Sequence, residues 1–101
     1  MAQTQNSLPV GDWLIGSIRT SSVTVGTTPT LLPAVALVNR RLIILYNNSG
    51  ATIYWGGSTV TIGNGIPLAN SASVSLNLDA SVGLYAIEAT GGRNVRVAEG
   101  S

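Results

Sequence analysis

Apolar and polar residues alternate along much of this chain with a period of two. Ser22-Val23-Thr24-Val25, Ser73-Val74-Ser75-Leu76-Asn77-Leu78 and Asn94-Val95-Arg96-Val97 all follow that pattern, which predicts half-buried strands with one face on a core. Val74, Leu76, Leu78, Val95 and Val97 are then the inward residues. Leu42-Ile43-Ile44-Leu45-Tyr46 is apolar on both faces, which predicts burial on both sides, under a second sheet and under a neighbour or an arm. Asn47-Asn48-Ser49-Gly50 and then Thr52-Ile53-Tyr54-Trp55 follow it. Locally this reads as an antiparallel hairpin with a four-residue connection, because Asn and Gly tolerate positive φ. Val60 and Ile62 alternate with Thr59 and Thr61, Gly63-Asn64-Gly65 turns into Ile66-Pro67-Leu68, and Leu84 to Ala89 supplies one more strand before Gly91-Gly92.

Two regions break the alternation. Leu31 to Val38 is aliphatic but contains Pro33, so it reads as an edge strand or a loop laid over the core. Residues 1–12 have no period at all and carry Pro9 and Gly11, which marks an N-terminal arm ordered only by what holds it. Trp13, Leu14, Ile15 and Ile18 form a small apolar group suited to pinning that arm. The expected division is an arm over residues 1–20 and one domain over residues 21–101. No stretch has a helical period, and turns recur roughly every 8–12 residues, the spacing of all-β folds. The expected architecture is therefore all-β: a small antiparallel β-sandwich, jelly-roll-like, or a barrel, with an extended N-terminal arm.

Composition changes this picture in one respect. Charged residues make up 9% of the 101-residue chain and hydrophobic residues 45%, where about 25% charged is usual. Such a surface predicts self-association or burial in a larger assembly. The net charge is +1 and the five arginines are scattered, with Arg40-Arg41 the only adjacent pair, which speaks against nucleic acid as the main partner. There is no cysteine, so no disulfide supports the fold. No basic leader precedes an apolar stretch, and the longest apolar run is far too short to span a bilayer. The expectation is synthesis in the cytoplasm and no membrane partner. Asn47-Asn48-Ser49 matches a glycosylation sequon but reads as a turn.

The chemical inventory is sparse. The chain has no His and no Cys, which excludes Ser-His-Asp and Cys-His catalysis and zinc binding through those ligands. Its acids are Asp12, Asp79, Glu88 and Glu99. Asp79 reads as a turn residue and Glu88 as a solvated strand residue, with nothing pairing them as acid and base. Gly56-Gly57-Ser58 and Gly63-Asn64-Gly65 lack the residues of a phosphate-binding loop and read as turns. The expectation is no enzyme, no metal and no cofactor. Among the aromatics, Tyr54 and Trp55 are adjacent in a strand and must face opposite sides; the pattern leaves open which faces outward.

Arg41-Leu-Ile-Ile-Leu-Tyr-Asn-Asn-Ser-Gly, Ile53-Tyr-Trp-Gly, Asn64-Gly-Ile-Pro-Leu, Leu84-Tyr85 and Val95-Arg-Val-Ala-Glu99 together resemble small β-domain structural proteins of tailed bacteriophages. The resemblance spans about residues 21–99 and rests on strand and turn residues. It implies a virion structural role, commonly as a homotrimer: a capsid decoration (cement) protein bound to the major capsid protein, or part of a head fibre, tail or baseplate. In the fibre alternative, Tyr54 or Trp55 would be a stacking platform for a glycan or receptor. The candidate partner contacts are Trp13, Leu14, Ile15, Arg40, Arg41, Tyr54 and Trp55.

Overall fold

The computed structural model describes residues 15–101. Eight strands follow one another: β1 (Ile18–Val25), β2 (Thr30–Leu31), β3 (Leu42–Tyr46), β4 (Ile53–Gly56), β5 (Ile66–Leu68), β6 (Ser73–Leu76), β7 (Tyr85–Ile87) and β8 (Arg93–Gly100). They form two antiparallel sheets, ordered β1-β8-β3-β6 and β2-β7-β4-β5. The pairs β1–β8, β2–β7, β3–β6 and β4–β5 nest like one long ribbon folded at β4–β5 and then rolled up. That order is the double Greek key of a jelly roll, so the all-β sandwich expected from the alternation is the fold observed.

Rolling the ribbon explains where the local reading fails. Only β4 and β5 are consecutive neighbours within one sheet; every other connection crosses from sheet to sheet. The expected β3–β4 hairpin is therefore a corner between sheets. β3 pairs with β6 and β8, while β4 pairs with β5 and β7. Residues 59–62 are turn rather than strand, with Val60 buried and Ile62 exposed. β1 begins at Ile18, inside the segment expected to be arm, because pairing with all of β8 carries it to the end of the sheet.

The core lies between the sheets. Val25, Leu32, Ile43, Leu45, Ile53, Ala86, Val95 and Val97 are the most completely buried apolar residues described, and Val74, Leu76 and Leu78 pack against them as the alternation requires. The prolines sit where a missing N–H is tolerated. Pro67 lies on the edge strand β5, and Pro33 follows the two-residue edge strand β2, which blunts both edges of the second sheet.

Jelly-roll connectivity sends alternate connections to opposite ends. At one end lie the turns β1–β2, β3–β4, β5–β6 and β7–β8; at the other lie residues 15–17, the connections β2–β3, β4–β5 and β6–β7, and Ser101. The two ends differ in chemistry.

Candidate functional site

The first end is made of polar turns that satisfy themselves. Asn47 is fully buried. Its Nδ2 donates to the carbonyls of Ala51 at 2.7 Å and Leu68 at 2.8 Å, and its Oδ1 accepts from the Ser49 amide and hydroxyl. One side chain thus ties the β3–β4 corner to β5, meeting the demand that buried polar groups be bonded. The Asn70 Oδ1 accepts from the Gly50 amide at 2.8 Å. Glu88 does the same work at the β7–β8 turn: its Oε1 accepts from the Thr90 amide and hydroxyl and from the Gly91 amide. Gly91 and Gly92 both have positive φ, which lets that turn bend back at no Cβ cost. Glu88 was expected to be a solvated strand residue; it is buried, because it caps the turn. The Thr90 amide and the other donors outweigh burial and hold its carboxyl below the usual range.

The opposite end is organised around Glu99. Its side chain is buried, and Oε1 accepts from Arg19 Nε at 3.1 Å and Nη2 at 2.5 Å. Oε2 accepts from the Leu37 amide at 3.0 Å and Arg40 Nη1 at 2.9 Å. Burial acts to raise its pKa, but the Leu37 amide and the two guanidinium groups outweigh that, and the carboxyl is held below its usual range. Arg40 is equally buried, and its remaining donors reach the carbonyls of Leu78 at 3.2 Å, Asp79 at 3.0 Å and Val82 at 2.6 Å. Arg19 also donates to the Val35 carbonyl. Three charges therefore clamp β1, β8 and the β2–β3 and β6–β7 connections together.

The clamp holds aliphatic side chains out to solvent beside the exposed Asn39 and Ser81. Val35, Val38 and Val82 are exposed on the connections it fixes, and Ile15, Ile18, Ile62 and Ile66 lie at the same end of the sandwich. Among the described residues, seven of the eight exposed large hydrophobics are thus gathered at one end, and Tyr46, at the far end of β3, lies elsewhere. A groove of about 310 Å³ lies beside Pro33, Ala36, Val82 and Tyr85. An aliphatic surface held by a buried charge network can dock another apolar surface. Both Glu99 oxygens already accept hydrogen bonds within the fold. Asp79 is likewise engaged, by the amide and hydroxyl of Ser81, which hold its carboxyl below the usual range. No group of three or more His, Cys, Asp or Glu residues is placed to hold a metal among the described residues.

The residues singled out from the pattern are not brought together. Trp13 and Leu14 lie outside the described residues. Ile15 is partly exposed and packs over Gly100. Arg40, expected to touch a partner, is buried, and its guanidinium is engaged inside the fold. Arg41 is exposed, and its backbone bridges Gly100 and Leu78. Trp55 packs against the core with Ile53, so Tyr54 is the residue that faces outward, and it is half-buried. The aliphatic connections were missed as a surface because Leu31–Val38 reads as core covering. Glu99 was missed although the period of two that turns Val95 and Val97 inward continues onto it. Searches of family models, curated proteins and solved structures return no match to this chain.

Proposed function

We propose that this protein is a structural subunit of a tailed-bacteriophage particle, a capsid decoration protein that self-associates and binds the major capsid protein through its aliphatic end. The carrying observation is the asymmetry of the surface: among the described residues, seven of eight exposed large hydrophobics lie at one end, and Val35, Val38 and Val82 stand on connections fixed by a buried ion-pair cluster. A rigid apolar surface suits permanent contact with another protein, since docking it requires little reordering. The low charge of the chain points the same way. Within this reading the protein is no enzyme, it is made in the host cytoplasm, and it works in the virion.

The jelly roll leaves one long edge strand, the eight-residue β1, beside that end. It is a natural seam for copies of the chain to meet, as a trimer would require. The glycan-binding alternative has less to rest on, because Trp55 faces inward and Tyr54 is half-buried. The reading is tested by mixing the purified protein with capsids that lack it and measuring what co-sediments. Saturable binding that falls at least tenfold in Val35→Asp and Val38→Asp supports it; a protein that ignores the capsids contradicts it.

A further inference from the structure

We propose that two copies of this chain join along β1, antiparallel and about a two-fold axis at Ser21, so that their first sheets run together as one. The inference rests on the self-association proposed above and adds its surface and register; it does not depend on the capsid. It starts from the backbone. Ser17 and Ser101 exchange both of their backbone hydrogen bonds, at 3.2 and 3.0 Å. In an antiparallel ladder such exchanging pairs recur at every second residue, so Arg19, Ser21, Val23 and Val25 turn their N–H and C=O groups toward β8. Ile18, Thr20, Ser22 and Thr24 turn theirs outward, where the described sheet has no further strand. The row is closed at both ends. The Gly16 amide donates to the Ser101 carbonyl at 2.5 Å, and the Gly26 carbonyl accepts from the Glu88 amide at 3.0 Å.

The fold guards its other edges and leaves this one open. β2 is two residues long and leads to Pro33, β5 is three residues long and contains Pro67, and β6 is four residues long. β1 is eight residues long, holds no proline, and its outward residues carry no charge. Its one charged residue, Arg19, is engaged by Glu99. Short strands, prolines and free charges are what keep edges from pairing, and β1 has none of them.

A second β1 fits this edge in one register. Antiparallel pairing sets outward residues against outward residues. Placing Ile18 against Thr24 and Thr20 against Ser22 matches all four on each copy. The four facing pairs exchange two hydrogen bonds each, eight in all. A shift of two residues either way brings Gly16 or Gly26 into the ladder, and both are engaged elsewhere. The matched register also sets Ser21 against its own copy, in a non-hydrogen-bonded pair with Cα atoms about 4.5 Å apart. The Ser21 hydroxyl oxygen is shielded from water and has no hydrogen-bond partner among the described residues. A hydroxyl both donates and accepts, so two of them face to face satisfy each other, as buried polar groups require. The open edge and the orphaned hydroxyl are separate observations, and they select the same register.

Each backbone bond of the seam replaces bonds to water, so its net gain is small. The edge alone does not offset the freedom lost by two monomers; it forms between copies that the aliphatic ends already bring together. A two-fold seam joins copies in pairs, so larger assemblies are completed at those ends.

The test exploits the absence of cysteine from the chain. Ser21→Cys introduces a single thiol that this register places against its own copy, within the Cα separation a disulfide spans. Under mild oxidation of the full chain, Ser21→Cys should form covalent dimers at least about tenfold faster than Thr24→Cys, whose sulfurs would lie about 20 Å apart along the seam. A mixture of Ile18→Cys and Thr24→Cys chains gives a second reading at two exposed positions: the mixed dimer should form faster than either like dimer. Ser21→Cys that cross-links no faster than Thr24→Cys, or a mixed dimer with no advantage, overturns the seam. In that case a wild type that still sediments as an oligomer keeps the self-association and loses only this surface, whereas a monomeric wild type loses both.

Discussion

The two ends of the sandwich use their polar residues in opposite ways. At the turn end, Asn47 and Glu88 spend their hydrogen-bonding capacity on the backbone of their own turns, and what faces solvent is Thr, Ser, Asn and Gly. At the other end, Arg19, Arg40 and Glu99 are drawn together beneath the surface, and exposed valines and isoleucines stand among the Ser, Thr, Asn and Gly of the connections. A charge-poor chain with both ends like the first would be an ordinary monomer. Charges used inside the fold, with aliphatic groups left outside, are what the proposed docking role would require of such an end.

The largest effect should come from breaking the clamp. Glu99→Ala strands Arg40, and removing one partner of a buried pair costs about 3–5 kcal/mol. For a chain of this size that lowers the melting temperature by tens of degrees or prevents folding. Thermal melts read by circular dichroism would show it. Arg40→Met with Glu99→Leu removes both charges of the buried pair but also the partners of the Leu37 amide and of the Leu78, Asp79 and Val82 carbonyls, so it too should lose stability.

At the turn end, Asn47→Ala removes the Nδ2 donor from the Leu68 carbonyl and leaves the Ala51 carbonyl to the Ser49 hydroxyl alone. A buried group left unsatisfied costs about 1–3 kcal/mol, so urea denaturation should show a smaller loss than Glu99→Ala. If Asn47→Ala is the more damaging of the two, the ranking of the ends is reversed.

Acid should weaken both ends together. Glu99, Glu88 and Asp79 all have carboxyls held below their ordinary values of 4.5, 4.5 and 3.8. A group with a lowered folded-state pKa contributes stability that is present above its unfolded value and lost as pH falls through the folded one. Stability should therefore be flat from neutral pH to about pH 5 and fall below it. The Glu99→Ala, Asn47→Ala and wild-type proteins, compared at pH 7 and pH 3, would show the acid loss shrinking where Glu99 is absent. The smallest effect on stability is expected for Val35→Ser and Val38→Ser, within about 0.5 kcal/mol, despite the size of their expected effect on assembly.

The architecture could be read from the chain wherever one face is wet. β6 and β8 alternate cleanly, and Val74, Leu76, Val95 and Val97 point as the pattern requires. The β3–β4 corner could not be read, because a turn between two sheets and a hairpin within one share the same Asn, Ser and Gly residues. What distinguishes them is that Asn47 Nδ2 reaches Leu68, twenty-one residues away. The inward position of Glu99 was legible from the period of two, as was that of Arg19 opposite it in β1. Their meeting with Arg40 was not, since Arg40 lies beyond β2 and a connection with no period. The aliphatic end was hidden for the same reason: Val35 and Val38 look like core residues until the fold places their backbone on the clamp and their side chains outside it.

The central claim is that the aliphatic end is a contact surface and the turn end is not. Sedimentation velocity on the full chain tests this most directly, comparing the wild type with Val35→Asp/Val38→Asp and with a turn-end control, Asn48→Asp/Thr28→Asp. The account predicts an oligomer for the wild type and the control, and folded monomers for the valine double variant. A monomeric wild type, or an oligomer that survives at the valines but dissociates in the turn-end control, would contradict it.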